Sequence, residues 1–358
     1  MDSFLWLPLA GLAAGLLLGY TARRAHFCTL SALERHWYAG DSRGLRTWVL
    51  SAALAIVFTQ SLASAGAVDL SQSFYLSPSF GWLGAIAGGL MFGLGMSLVG
   101  TCGFGALIRL GGGSLRGLIV LIVIALTGLV TQRGVIAPLR QIMESTATID
   151  FTRAGSQSIG AIATAATGIE LGAAASILTV LALVLWVFTD ADYRVHRSGI
   201  AAAVAIALAI AFGWLATSIA ADHSFYPVQV ESASFVTPVA DLVMLFGIHT
   251  GGGFPDYGVG VVFGTVLGAA FAAWRSNDMR WEACDDAREL GRHLGGAALM
   301  GIGGVFALGC TIGQGISAMS TLAVSAPIVM VSIGAGARLG LAHLIEGSAL
   351  AAFGRPAG

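Results

Sequence analysis

The sequence predicts an all-α polytopic membrane protein, with eight to ten spanning helices and short re-entrant half-helices between them. Three observations predict it. Apolar residues make up 56% of the 358 and charged residues 10%, against about 25% charged in a soluble domain. Mean hydropathy is +0.83, so the chain cannot cover a water-facing surface with polar groups. Glycine occurs 50 times, about twice its usual share of ~7%, which suits close helix packing and interrupted helices.

The elements follow in chain order. "MDSFLWLPLAGLAAGLLLGY" lacks a basic n-region, and "TARRAHF" follows where a cleavage site would stand, so it reads as a first span and not a secretory signal. Further apolar runs cover 47–66, 81–100, 117–131, 158–189, 199–220, 257–274, 294–309, 322–337 and 339–353. A span needs about 20 residues. The shorter apolar pieces 27–33, 101–112, 237–250 and 310–320 read as half-helices or re-entrant turns, which are tolerated only where protein or water covers them. No polar stretch is long enough for a separate soluble domain, so residues 1–358 read as one integral membrane domain.

The net charge of -1 argues against a nucleic-acid partner. All 18 basic residues are arginine. With the N-terminus outside, 14 of them fall on inner loops, and Arg133, Arg140, Arg153 and Arg355 fall outside. That bias follows the positive-inside rule and places the N-terminus in the periplasm.

"GLGMSLVGTCGFG" (93–105) returns as "GIGGVFALGCTIG" (301–313). At a constant offset of 208, Gly93, Gly95, Cys102 and Gly105 fall on Gly301, Gly303, Cys310 and Gly313. The predicted topology makes the two copies antiparallel. This suggests halves 1–155 and 199–358, with 88–105 matching 296–313 and 156–198 as the join. Inverted repeats of interrupted helices are a common transporter plan.

A helix interrupted in the membrane leaves orphan N–H groups and about +0.5 charge at its N-terminus, which suits an anion. Cys102 with Gly103 and Gly105, and Cys310 with Gly313 and Gln314, stand at such breaks. A neutral thiol is a weak donor; it neither repels a dianion nor traps it. Cys28, in "RRAHFC", lies at the arginine-flanked end of the first span. Arg109 could help neutralise an anion at the inner mouth, and Asp241 is an acid inside an apolar stretch, a functional candidate by default. A free cysteine is, in the ordinary case, simply a small buried hydrophobe. That bland reading holds for Cys284, in the charged loop "RWEACDDAREL". The loop's Trp281, Glu282, Asp285, Asp286, Arg288 and Glu289 suggest a solvated surface that could dock a partner. Four cysteines without a CxxC pair form neither a disulfide framework nor a zinc site.

"RRAHFC", "GTCGFGALIRLGGGSLRG", "SFVTPVADLVM", "DYGVGVVFGTVLGAAFAA" and "GGVFALGCTIGQGIS" resemble the YeeE/YedE family of bacterial inner-membrane sulphur-compound transporters. The resemblance runs along essentially the whole chain. It implies an hourglass-shaped, pseudo-symmetric helical protein in the bacterial inner membrane. It also implies thiosulfate uptake past three central cysteines, here Cys28, Cys102 and Cys310. A separate small cytoplasmic sulphur carrier of the sulfurtransferase type is an implied partner. Some family members handle other sulphur or selenium compounds. No cofactor, metal or catalytic residue is expected, and no nucleotide-binding P-loop is present. The rival readings are a membrane thiol oxidoreductase or sulfurtransferase, and a scaffold that docks a sulphur carrier without transporting.

Overall fold

A computed structural model describes residues 3–224, 227–247, 256–283, 286–348 and 352. It is helical, apart from a small antiparallel pair of three-residue strands, β1 (Ser79–Gly81) and β2 (Thr148–Asp150). The first half holds α1 (Ser3–Ala25), α2 (Thr29–Ala39), α3 (Arg43–Ser64), α4 (Trp82–Val99), α5 (Gly103–Gly111) and α6 (Leu115–Arg133). Four shorter helices follow: α7 (Ala137–Thr146), α8 (Ile159–Thr167), α9 (Gly172–Phe188) and α10 (Ala191–Arg194). The second half holds α11 (Arg197–His223), α12 (Val236–Gly247), α13 (Tyr257–Arg275), α14 (Ala287–Phe306) and α15 (Ser325–Ile345). Among the described residues seven helical segments are long and apolar enough to cross a membrane, with α9 and α12 as shorter apolar helices.

Glycine decides how these helices pack. Gly11, Gly15 and Gly19 of α1 meet Tyr257, Val261 and Thr265 of α13 in the same order, so the two run parallel with backbones in contact. Gly260, Gly264 and Gly268 return the contact against Pro8, Leu12 and Leu16. Glycines four residues apart form one flat stripe, which lets helices approach where lipid gives no hydrophobic drive. α4 uses two such stripes. Gly89 and Gly93 lie against Val329 and Ile333 of the parallel α15, while Gly88 and Gly95 lie against Gly303 and Gly296 of the antiparallel α14. The remaining large pairings are α3 with α11 and α6 with α14. Outward rows such as Leu118, Ile122 and Leu126 on α6 are exposed and apolar, as lipid requires.

Two sequence-derived boundaries change. The run 158–189 is split between α8 and α9, because Gly168 ends α8 in a left-handed conformation with φ 74°. The runs 322–337 and 339–353 merge, since α15 continues through Arg338 to Ile345. Arg338 keeps its charge satisfied beside the helix: it pairs with Glu346 at 3.5 Å and stacks over Trp37 and Tyr38 of α2.

Candidate functional site

Three helices break inside the protein, and each break carries a cysteine. α4 stops at Gly100, whose φ of 76° is left-handed. Cys102 then caps α5, its Sγ accepting the Gly105 N–H at 3.4 Å. α14 stops at Ala307, and Leu308 and Gly309 follow at φ 55° and 154°. Cys310 leads into a π-helical turn (Gly313–Ala318), its Sγ accepting the Gly313 N–H, also at 3.4 Å. The two thiols therefore make the same cap. Cys28 is the N-cap residue of α2, after His26 at φ 51° has turned the chain out of α1.

Cys102 is 1% and Cys310 0% exposed, and Cys28 is partly buried; all three are free thiols. The Cys28 and Cys102 thiols face each other, with Arg109 within electrostatic reach of Cys28. Cys102 lies against Thr311, the neighbour of Cys310. Tyr75 is within electrostatic reach of Cys310. Neighbour by neighbour, the contacts link Tyr75 with Cys310, Thr311 with Cys102, Cys102 with Cys28, and Cys28 with Arg109.

Two buried hydroxyls along this line, those of Tyr75 and Thr311, make no hydrogen bond of standard geometry. Each has a polar protein neighbour close by, Ser234 for Tyr75 and the Cys102 thiol for Thr311. The glycines hold the space open. A Cβ on Gly313 would stand 2.7 Å from Ser234 Oγ and 3.1 Å from the Tyr75 hydroxyl. A Cβ on Gly105 would collide with the Thr101 hydroxyl, whereas Gly103 has room for one. The segment 232–235 wraps Cys310: Ser317 Oγ donates to the Ala233 carbonyl at 2.7 Å, and Phe235 stacks on Phe104 at 4.7 Å between centroids.

The other sequence candidates divide. Arg109 donates to the Gly100 carbonyl at 2.9 Å and so ties the break shut. It also lines a cavity of about 150 Å³ with Arg23, Gly112, Ser114, Asp278, Arg280 and Glu282. Gln314 spends its amide N–H on the Ala307 and Leu308 carbonyls, at 2.8 and 3.3 Å, so it caps α14; its Oε1 stays buried and unpaired. Asp241 lies away from the thiols, beside Arg133 and Asp256. Cys284 and Asp285 lie outside the described residues. Tyr75, Ser234 and Thr311 were not singled out from the sequence. Tyr75 sits in a connection with no motif, and Ser234 reaches the site only through folding. Thr311 adjoins a repeat cysteine, and that was its one signal.

Interrupted helices meeting at buried thiols and hydroxyls, inside a polytopic helical bundle, define a membrane transport protein. The chain belongs to the sulphur transport family, whose profile matches residues 24–339. It is similar to the thiosulfate transporter TsuA of Escherichia coli K12, at 27% identity over 329 residues and 86% of each chain. It is also similar to the thiosulfate transporter TsuA of Spirochaeta thermophila, at 25% identity over 322 residues, 88% of this chain and 92% of the relative.

Proposed function

We propose that the protein carries thiosulfate, or a similar small sulphur oxyanion, across the bacterial inner membrane into the cytoplasm. The path runs past Cys310, Cys102 and Cys28. The observation that carries this reading is the group of three thiols at helix breaks, with the buried Tyr75 and Thr311 hydroxyls beside them, in a chain similar to transporters named for thiosulfate. An anion leaving water must replace its hydrogen bonds. Neutral O–H and S–H groups and helix N-termini supply them without a fixed cation that would hold it. Arg109 is a cation in electrostatic reach of the Cys28 thiol. It would draw the anion to the exit.

The order and packing of the helices support an inverted repeat around a central path. Adding 208 to α2, α3, α4 and α6 gives 237–247, 251–272, 290–307 and 323–341, over α12, α13, α14 and α15. The packing exchanges likewise: α1 with α13 answers α11 with α3, and α4 with α15 answers α14 with α6. The arginine-rich ends then face the cytoplasm, with the α1 N-terminus and Tyr75 outside. Exposed Met279 and Trp281 give the cytoplasmic face a surface for a separate sulphur-carrier protein.

The test is uptake of labelled thiosulfate by liposomes holding only this protein, with sulfate and selenite as competitors. Uptake that thiosulfate saturates and excess sulfate leaves largely intact is the expected result. No uptake above empty liposomes would overturn the proposal. The facing Cys28 and Cys102 thiols also favour a second reading, a thiol enzyme. Mass spectrometry after turnover would then find a persulfide or disulfide on them.

A further inference from the structure

An anion path should not open beside carboxylates, yet one does. The connection 224–235 between α11 and α12 carries Glu231, three residues before Ser234 at the Cys310 end of the path. Thr217 fixes it on both sides, donating to the Glu231 carbonyl at 2.8 Å and accepting its N–H at 3.2 Å. The carboxyl lies at the N-terminus of α13, by the Gly258 amide. Asp256 and Asp241 are its charged neighbours. Asp256 is engaged as the α13 cap, accepting the Val259 N–H at 2.9 Å, and Asp241 has Arg133 beside it. Glu231 forms no ion pair among the described residues.

Two buried phenols look onto this carboxyl. Tyr257 is 1% exposed; its hydroxyl, beside Ser232 and within electrostatic reach of Glu231, has no hydrogen-bond partner. Tyr75, also 1% exposed, is within electrostatic reach of both Glu231 and Cys310. Three residues from Ser234, a charged Glu231 would repel an anion at the Cys310 end of the path through a poorly screened interior. A protonated one would not.

We propose that Glu231 is a proton-binding site at the outer entry, and that the anion enters with this carboxyl protonated. This rests on the anion-transport reading. The carboxylate takes one proton from outer water as the anion binds, and returns it there once the anion has passed inward. Binding of anion and of proton then help each other by the same factor. The partly buried carboxyl is already inclined this way: burial first, then Asp256 and Asp241, push it up to about 8.

The experiment measures thiosulfate binding by the purified full chain from pH 6 to 10. One linked proton weakens affinity by about tenfold per pH unit above the carboxyl's titration. The wild type should show that slope, and Glu231→Gln should bind with no slope. A flat wild-type profile, or an unchanged slope in Glu231→Gln, would overturn the proposal. Should the variant not fold, calorimetry of the wild type in buffers of different ionisation enthalpy decides. About one proton taken up per anion near pH 9 supports the site, and none refutes it. A wild type that binds no thiosulfate at any pH sinks the transport reading, and this inference with it.

Discussion

Tyr75→Phe separates function from stability with a single oxygen. The Tyr75 hydroxyl is buried beside the thiol line and makes no hydrogen bond of standard geometry, with Ser234 as its polar neighbour. Its ring packs against Phe74 at 4.0 Å and edge-on to Trp214 at 6.3 Å between centroids. Phe keeps both ring contacts and removes only the oxygen. The fold therefore loses no more than the approach to Ser234. A buried unpaired polar group costs about 1–3 kcal/mol, so the variant should unfold at the wild-type temperature or above it. Transport should suffer. A donor lost from a charged ligand costs about 1.5–3 kcal/mol, which is roughly 10- to 150-fold in an equilibrium constant. The assay is initial-rate uptake of labelled thiosulfate in proteoliposomes, with thermal unfolding in detergent alongside. The expected pair of results is a KM raised by at least about tenfold and an unchanged or higher Tm. An unchanged KM would refute the placement of this hydroxyl on the path. A clearly lowered Tm would show that it has a structural partner.

At Cys28, Cys102 and Cys310, uptake should rank wild type above Ser above Ala, because Ser keeps a donor and Ala removes it; equal abolition by both, at normal membrane levels, would favour covalent sulphur transfer. Cys284→Ala should leave uptake intact, and a loss matching that of Cys102→Ala would show that this cysteine has been misjudged. Gly264→Ala places a methyl into the Leu12 carbonyl and 2.9 Å from Gly15 Cα; backbone cannot yield, so a loss of about 1–3 kcal/mol or more should appear as a lower Tm, and a wild-type Tm would contradict the α1–α13 contact. Glu231 is raised from an ordinary 4.5 to about 8, so between those values the folded state binds more protons than the unfolded state. Stability from this group is therefore lost as pH rises through that window, and Glu231→Gln should flatten the fall of Tm from pH 5 to 8; an equally steep fall in the variant would assign it to another group.

The sequence by itself determined the class of fold, because apolar run length against bilayer thickness is a one-dimensional quantity. It also exposed the paired breaks. Gly93, Gly95, Cys102 and Gly105 return 208 residues on as Gly301, Gly303, Cys310 and Gly313. What it left open was everything set by helix direction and depth. Arg338 looked like the boundary between two spans, but its charge is met by Glu346 and by two rings of α2, so the helix runs on. Gln314 looked free to hold a ligand, yet the end of α14 folds back to take its N–H groups. Tyr75, Ser234 and Glu231 belong to connections with no periodicity. Tyr75 and Ser234 come to the Cys310 turn only when 232–235 is pinned to the π-helical turn, and Glu231 is carried with them on the same connection. Hydrogen-bond satisfaction at a buried break is a three-dimensional sum, which the linear sequence does not display.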